Sequence, residues 1–438
     1  MLKRRDFLKL SLLGFGVTAC QWLKAPFASP FSTDNPESAP TITTLETQSG
    51  TTSPSTGAPG TVEPSPESLS TSENLAVEPE TPFPTFIIDG HQDIAWNALE
   101  LDRDVLQSAY LVRSQETNNV IPRIAGERVT GLPEYLAGRV GIIFASLFVS
   151  PAQEAIPGYN SMVYTTPVQA EQCAQEQLGY YRGLAEKEPR IRLITSPVEL
   201  DSVTASWTQP DQQPLVGLVL LMEGADPIQA PADLPKWHQN GLRIIGPAWH
   251  ATRYSAGTGK PGSLTDLGRQ LLVAMAELNM ILDISHLAEA AALEAVEGYN
   301  GPVIASHSNP KPFSPSDRGL PDETIKRLVA RDGVEGIVFY NRYLKPGWVE
   351  GDSRQQVTLD TVVDAIDYVA QLAGDVRHVA IGSDLDGGFG LNAIPWEMDS
   401  IADMIMLAER LVKRGYSEAE VEGIMNGNWL RVLRKGLR

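Results

Sequence analysis

Cysteine is scarce. Two residues in 438, Cys20 and Cys173, allow at most one disulfide and exclude a cystine-stapled scaffold. No run of about 18 or more apolar residues occurs, which removes an ordinary membrane-spanning helix. Basic charge is also short: 35 Lys and Arg face 54 Asp and Glu, a formal net charge of -19. Such a chain lacks the concentrated basic surface of a nucleic-acid binder. What is present is apolar side chain, 42% of residues, enough for a sizeable core and too much for wholesale disorder.

The chain divides into three segments. Residues 1–20 read as an export signal: Lys3, Arg4 and Arg5 precede an apolar stretch, Leu10 to Ala19, that ends at Cys20. Lys3-Arg4-Arg5-Asp6-Phe7-Leu8-Lys9 resembles a twin-arginine signal, with Lys3 in place of the usual small polar residue. Val17-Thr18-Ala19-Cys20 resembles a bacterial lipobox, which would make Cys20 the lipidated first residue of the mature protein. The alternative is a secretory signal in which Cys20 is incidental. Residues 21–84 shift to Ser, Thr, Pro, Gly and Glu, and prolines such as Pro54, Pro59, Pro64 and Pro66 break any helix or central strand. This segment is expected to be a disordered tether. The predicted location is therefore the extracytoplasmic side of a bacterial membrane, held by an N-terminal lipid.

Residues 85–438 alternate apolar runs with amphipathic stretches. The runs Phe86–Ile88, Val140–Val149, Leu215–Met222, Leu242–Pro247, Met280–Ile284, Pro302–Ala305, Gly336–Tyr340 and Val379–Gly382 read as strands. Helical spacing lies at Leu264–Leu278, Leu287–Val296, Asp322–Val329 and Leu359–Leu372. Strands apolar on both faces suit a parallel sheet covered by helices, and about eight βα units point to an α/β fold of the (β/α)8 TIM-barrel type. The region from about Met398 reads as a C-terminal helical extension packed on the outside.

The polar residues at the strand ends carry the chemistry. His91 and Asp93 follow the first strand with His-x-Asp spacing. Alone this pair reads first as a polar His beside a turn-capping Asp, although zinc accepts both ligand types. Ile284-Ser285-His286 and Ala305-Ser306-His307 repeat one arrangement, an apolar strand ending in Ser-His at the mouth where barrel enzymes place their chemistry. Glu223 ends a wholly apolar strand, where an unpaired carboxylate is costly. It bridges metals or pairs with an arginine such as Arg243. Asp384 sits at the last strand mouth, while Asp386 is nearer the Gly387-Gly388 turn and reads as a loop support. His250 follows the fourth strand, as an oxyanion donor or a rim histidine. Arg318 could grip a carboxylate with two prongs or be an ordinary surface arginine. Tyr340 and Asn341 end the seventh strand and are candidates for the pocket wall. His238 and His378 read as structural.

Together these motifs resemble the membrane (renal) dipeptidase family of zinc peptidases. The carriers are Asp89-Gly90-His91-Gln92-Asp93, Glu223-Gly224, the stretch from Gly241 to His250, Ile284-Ser285-His286, Ser306-His307-Ser308 and Asp384-Leu385-Asp386-Gly387, with the spacing from His307 to Arg318. The resemblance implies a metal-dependent (β/α)8 hydrolase with two Zn2+: His91 and Asp93 on one, His286 and His307 on the other, Glu223 on both. It also implies substrate contacts at His250, Arg318 and Asp384. Gln92 stands where many relatives have Asn, which leaves the ligand set intact. The expected reaction is dipeptide hydrolysis by a metal-bridging hydroxide. His250 would steady the oxyanion, Asp384 would shuttle the proton and Arg318 would hold the substrate carboxylate. The alternatives are an amidohydrolase acting on N-acyl amino acids and a non-catalytic peptide-binding lipoprotein. A homodimer stays open.

Overall fold

The computed structural model describes residues 83–155, 161–209 and 211–438. The expected signal, lipidation site Cys20 and almost all of the tether lie outside the described residues. Eight parallel strands close a barrel in chain order: β1 (Ile87–Gln92), β2 (Val140–Phe148), β3 (Val216–Glu223), β4 (Leu242–Gly246), β5 (Ile281–Asp283), β6 (Val303–Ala305), β7 (Val334–Ile337) and β8 (Val379–Ile381). β8 returns to β1 through the Asp89–Ile381 register, and β2 pairs β3 from Ile142–Gly217 to Phe148–Glu223. A short strand, Ile191–Leu193, joins the first residues of β3 ahead of the point where β4 takes over the same edge. Each barrel strand overlaps an apolar run because it is buried on both faces. β1 runs on to Gln92, and β7 starts two residues before its run and ends at Ile337, short of Tyr340.

Period-two alternation sends one set of side chains outward to the helices and the other inward. Ile88, Phe144, Val219, Leu221, Ile244, Ile304, Val334 and Ala380 pack together as the inner set. Trp429, from the C-terminal helix Asn428–Gly436, joins them fully buried, edge-on to Phe144 at 5.0 Å, and donates its indole N–H to Ile381 O at 2.8 Å. The C-terminal segment thus does more than pack on the outside, as its pattern suggests: it puts a large aromatic among the inner side chains. Gly90 explains part of the space, since a Cβ there would come within 2.8 Å of the Trp429 ring.

Helices α1 (Ile94–Leu101), α2 (Pro167–Lys187), α3 (Asp266–Glu277), α4 (Glu289–Gly298), α5 (Asp322–Ala330) and α6 (Leu359–Ala373) lie among those around the barrel. The last four match the amphipathic stretches. α2, the longest, buries Ala170, Ala174, Leu178, Tyr181 and Leu184 at helical spacing, and its start is written in the sequence. Thr166 and Gln169 form a reciprocal capping box, with Gln169 N to Thr166 Oγ1 at 3.3 Å and Thr166 N to Gln169 Oε1 at 3.2 Å.

Candidate metal centre

The strand ends bring His91, Asp93, Glu223, His286, His307 and Asp384 to one place. β1 runs to Gln92, so His91 is still within the strand and its ring is fully buried. Its Nε2 faces Glu223 Oε2 at 3.4 Å, Asp93 Oδ1 at 3.5 Å and Asp384 Oδ1 at 3.9 Å. Glu223 Oε1 lies 3.0 Å from His286 Nε2 and 3.5 Å from His307 Nε2. Arg243, the alternative partner for Glu223, instead donates to the carbonyls of Thr195, His238 and Leu242.

A second layer aims these ligands. Asp283 accepts from Ser285 Oγ at 2.8 Å, Ser306 N at 2.9 Å and Ser306 Oγ at 2.5 Å. Ser306 Oγ also meets His307 Nδ1 at 2.7 Å. A serine hydroxyl has one proton. With that proton on Asp283, His307 Nδ1 must be the donor, which leaves the Nε2 lone pair bare. Thr258, at the tip of the hairpin Ser255–Gly257/Lys260–Leu264, holds the corresponding place 3.0 Å from His286 Nδ1. The main chain here is tightly fitted. A Cβ on Gly90, Gly336 or Gly382 would collide with the one carbonyl oxygen of Ser306, so three glycines from β1, β7 and the end of β8 make room for the backbone that carries His307.

The electrostatics of this cluster call for a cation. Burial opposes charging His91, but the Glu223 and Asp93 carboxylates outweigh it and raise its pKa well above the ordinary value. Burial raises Glu223, and this is overcome by His91, with hydrogen bonds from His286 and His307, so its carboxyl falls well below normal. Burial and then Arg318 lower His286 to about 4; burial, His91 and Arg318 lower His307 well below its ordinary value. Burial raises Asp384 well above normal, with Asp93 and Glu223 adding to it against the pull of His91 and Arg318.

The donor set fits divalent metal. His91, Glu223 and His307 form one group able to hold an ion; His91, Asp93 and Asp384 form another. Both nitrogens of buried His91 lack a hydrogen-bond partner. His286 and His307 present Nε2 atoms 3.0 Å apart, close to the ~3.3 Å between two nitrogens on one tetrahedral zinc.

Asp384 adopts a left-handed conformation, φ 60°, and its carboxylate occupies the space that a Cβ on Gly387 would need. Asp386 turns away and accepts from Val129 N at 3.0 Å, Thr130 N at 2.9 Å and Thr130 Oγ1 at 2.6 Å, bracing the loop. A cavity of about 240 Å³ opens over the cluster, with Arg318 and Asp384 in its wall. Arg318 is buried, donates Nη1 to Ser308 Oγ at 2.9 Å and Nη2 to His307 O, and lies over the Tyr343 ring. Two expectations are placed differently. Trp249 rather than His250 forms the wall, and the His250 ring faces Glu154 at 3.3 Å. Tyr343 rather than Tyr340 lines the cavity, because Tyr340 stacks on Phe389 and donates to Glu350 at 2.6 Å. Asn341 is fully buried and donates to Ile394 O at 3.1 Å.

The sequence profile of the membrane dipeptidase family, peptidase family M19, matches residues 83–436. The chain belongs to that family. Membership and the buried ligand cluster make this M19 chain a metallo-dipeptidase. It is 30% identical over 261 residues to an uncharacterised protein in the pqqA 5′ region of Klebsiella pneumoniae, covering 57% of this chain and 91% of that one. It is 25% identical to an uncharacterised dipeptidase of Schizosaccharomyces pombe over 80% of each chain. Among solved structures, it is similar to a Rhodobacter sphaeroides metallo peptidase liganded with a phosphinate mimic of L-Ala-D-Ala: TM-score 0.64, 24% identity, 80% of this chain and 99% of that one. The metallo peptidase dipeptidase AC gives TM-score 0.65 at 23% identity, over 80% and 98%. The barrel fold is thus shared with these two solved structures.

Proposed function

We propose that this M19 chain hydrolyses free dipeptides with two zinc ions held by His91, Asp93, Glu223, His286 and His307. The observation that carries this reading is the convergence of three histidines on the Glu223 carboxylate, at 3.0 to 3.5 Å. Bound zinc would supply hydroxide at neutral pH, since coordination brings the pKa of water from 15.7 towards ~7. The protein supplies the rest. Arg318, fixed by Ser308 and the His307 carbonyl, keeps N–H groups for a substrate carboxylate. Its attachment to His307 sets a fixed distance between that clamp and the ligand cluster, which restricts substrates to short peptides. Asp384, with its raised proton affinity, takes the proton released by the attacking water and returns it to the leaving nitrogen.

The test is a zinc-reconstituted assay on L,L- and L,D-dipeptides, tripeptides and N-acyl amino acids. Dipeptide turnover is expected; turnover of N-acyl amino acids alone would replace this reading with the amidohydrolase one. Arg318→Met is expected to raise KM for free dipeptides by roughly 10–100-fold, with little effect on C-terminally amidated ones. An equal loss on both would remove the clamp from Arg318.

For location, the proposal is export followed by lipidation of Cys20, resting on Val17-Thr18-Ala19-Cys20. Full-length protein should partition into detergent phase and Cys20→Ser into the aqueous phase; equal partitioning would overturn it.

A further inference from the structure

The cavity extends beyond the ligand cluster along one face of α1. Asp93, Trp96 and Glu100 follow one another at helical spacing, and all three line the cavity. Phe148, at the end of β2, stands edge-on to Trp96 at 6.3 Å and to Trp249 at 5.0 Å, which completes an aromatic wall. Two carboxylates share this end, Glu100 and Glu154. They are not equivalent. Glu154 has the His250 imidazole 3.3 Å away. Glu100 makes no ion pair among the described residues; its Oε2 accepts the Met162 N–H at 2.7 Å. A part-buried carboxylate beside aromatic faces is the chemistry that receives an organic cation.

Reach decides which cation. Glu100 lies seven residues after Asp93, a rise of ~10 Å along the helix. The α-ammonium of a bound dipeptide is two bonds from the carbonyl carbon under attack, so it belongs beside the ligand cluster and cannot extend to Glu100. The side chain of a lysine or arginine in the same residue can, with its apolar stem against the aromatic wall and its charge at the far end. We infer that Glu100, with Trp96, Phe148 and Trp249, forms a subsite selecting dipeptides whose N-terminal residue is basic. Glu100 is its specificity-determining residue. This inference rests on the dipeptidase reading above.

The experiment compares kcat/KM for L-Lys-L-Ala and L-Leu-L-Ala in metal-loaded protein and in Glu100→Gln. Glutamine keeps an acceptor for the Met162 N–H and removes only the charge. The Lys/Leu ratio should be roughly 10–100 in the parent and fall about tenfold or more in the variant. Titration calorimetry with phosphinate analogues of the same two dipeptides should show the same change in affinity ratio, independently of turnover. A parent ratio near one, or a ratio unmoved by Glu100→Gln, overturns the subsite while leaving dipeptide hydrolysis standing. If neither dipeptide is turned over, the hydrolytic reading fails, and the two analogue affinities still decide the subsite.

Discussion

Glu223→Gln is expected to abolish measurable dipeptide hydrolysis and to lower the metal content of the purified protein. Glu223 is the one side chain among the described residues that faces His91, His286 and His307 together. Glutamine keeps the shape and removes the charge. The loss in kcat/KM should therefore exceed the ~10–100-fold typical of removing an outer-shell partner. A second readout follows from the titration of the metal-free protein. Glu223 and Asp93 raise His91 against the opposing effect of burial, so removing the Glu223 charge should move the His91 imidazole pKa down by NMR. Unchanged metal stoichiometry with activity within tenfold of the parent would show that Glu223 is not a bridging ligand.

Asp384→Asn should lower kcat by ~10²–10⁴, the range for a lost general acid–base group, while metal content and melting temperature hold. Asparagine tolerates the left-handed conformation at φ 60°, so the substitution tests the proton and not the backbone. The pH profile adds a sign. Burial, reinforced by Asp93 and Glu223, raises this carboxyl well above normal in the metal-free protein. Bound cation would draw it back down, so a limb of the parent profile should belong to Asp384 and vanish in the variant. If instead the variant loses a metal equivalent, Asp384 is a ligand, in line with its place beside His91 and Asp93.

Much of this was legible in the sequence because the barrel strands are buried on both faces and so appear as apolar runs. A polar residue ending such a run stands out, and His91, Glu223, His286, His307 and Asp384 are all of that kind. What stayed hidden depends on side-chain direction. His250 and Trp249 are adjacent, and sequence favours the histidine as the reactive group, yet in the fold the indole takes the wall and the imidazole turns to Glu154. Tyr340 and Tyr343 differ by less than one helical turn, and the stacking of Tyr340 on Phe389, 49 positions along, settles which one faces the cavity. Trp429 is hidden for a similar reason: nothing local says that a C-terminal helix sets an indole against Gly90 and Phe144 among the inner side chains. Two further signals lie in the sequence. The Thr166–Gln169 capping box marks the start of α2, and the i, i+3, i+7 row of Asp93, Trp96 and Glu100 lines the cavity.

The three glycines around the Ser306 carbonyl have a consequence for how this protein tolerates change. The footing of His307 is main chain, and a carbonyl cannot be altered by exchanging the side chain that bears it. Vulnerability is transferred to positions 90, 336 and 382, none of which lines the cavity and each of which can change only by becoming larger. Harmful variation there would register as failure to assemble the barrel, with no catalytic signature of its own. The precision of the metal pocket is thus secured by atoms that are missing from three side chains.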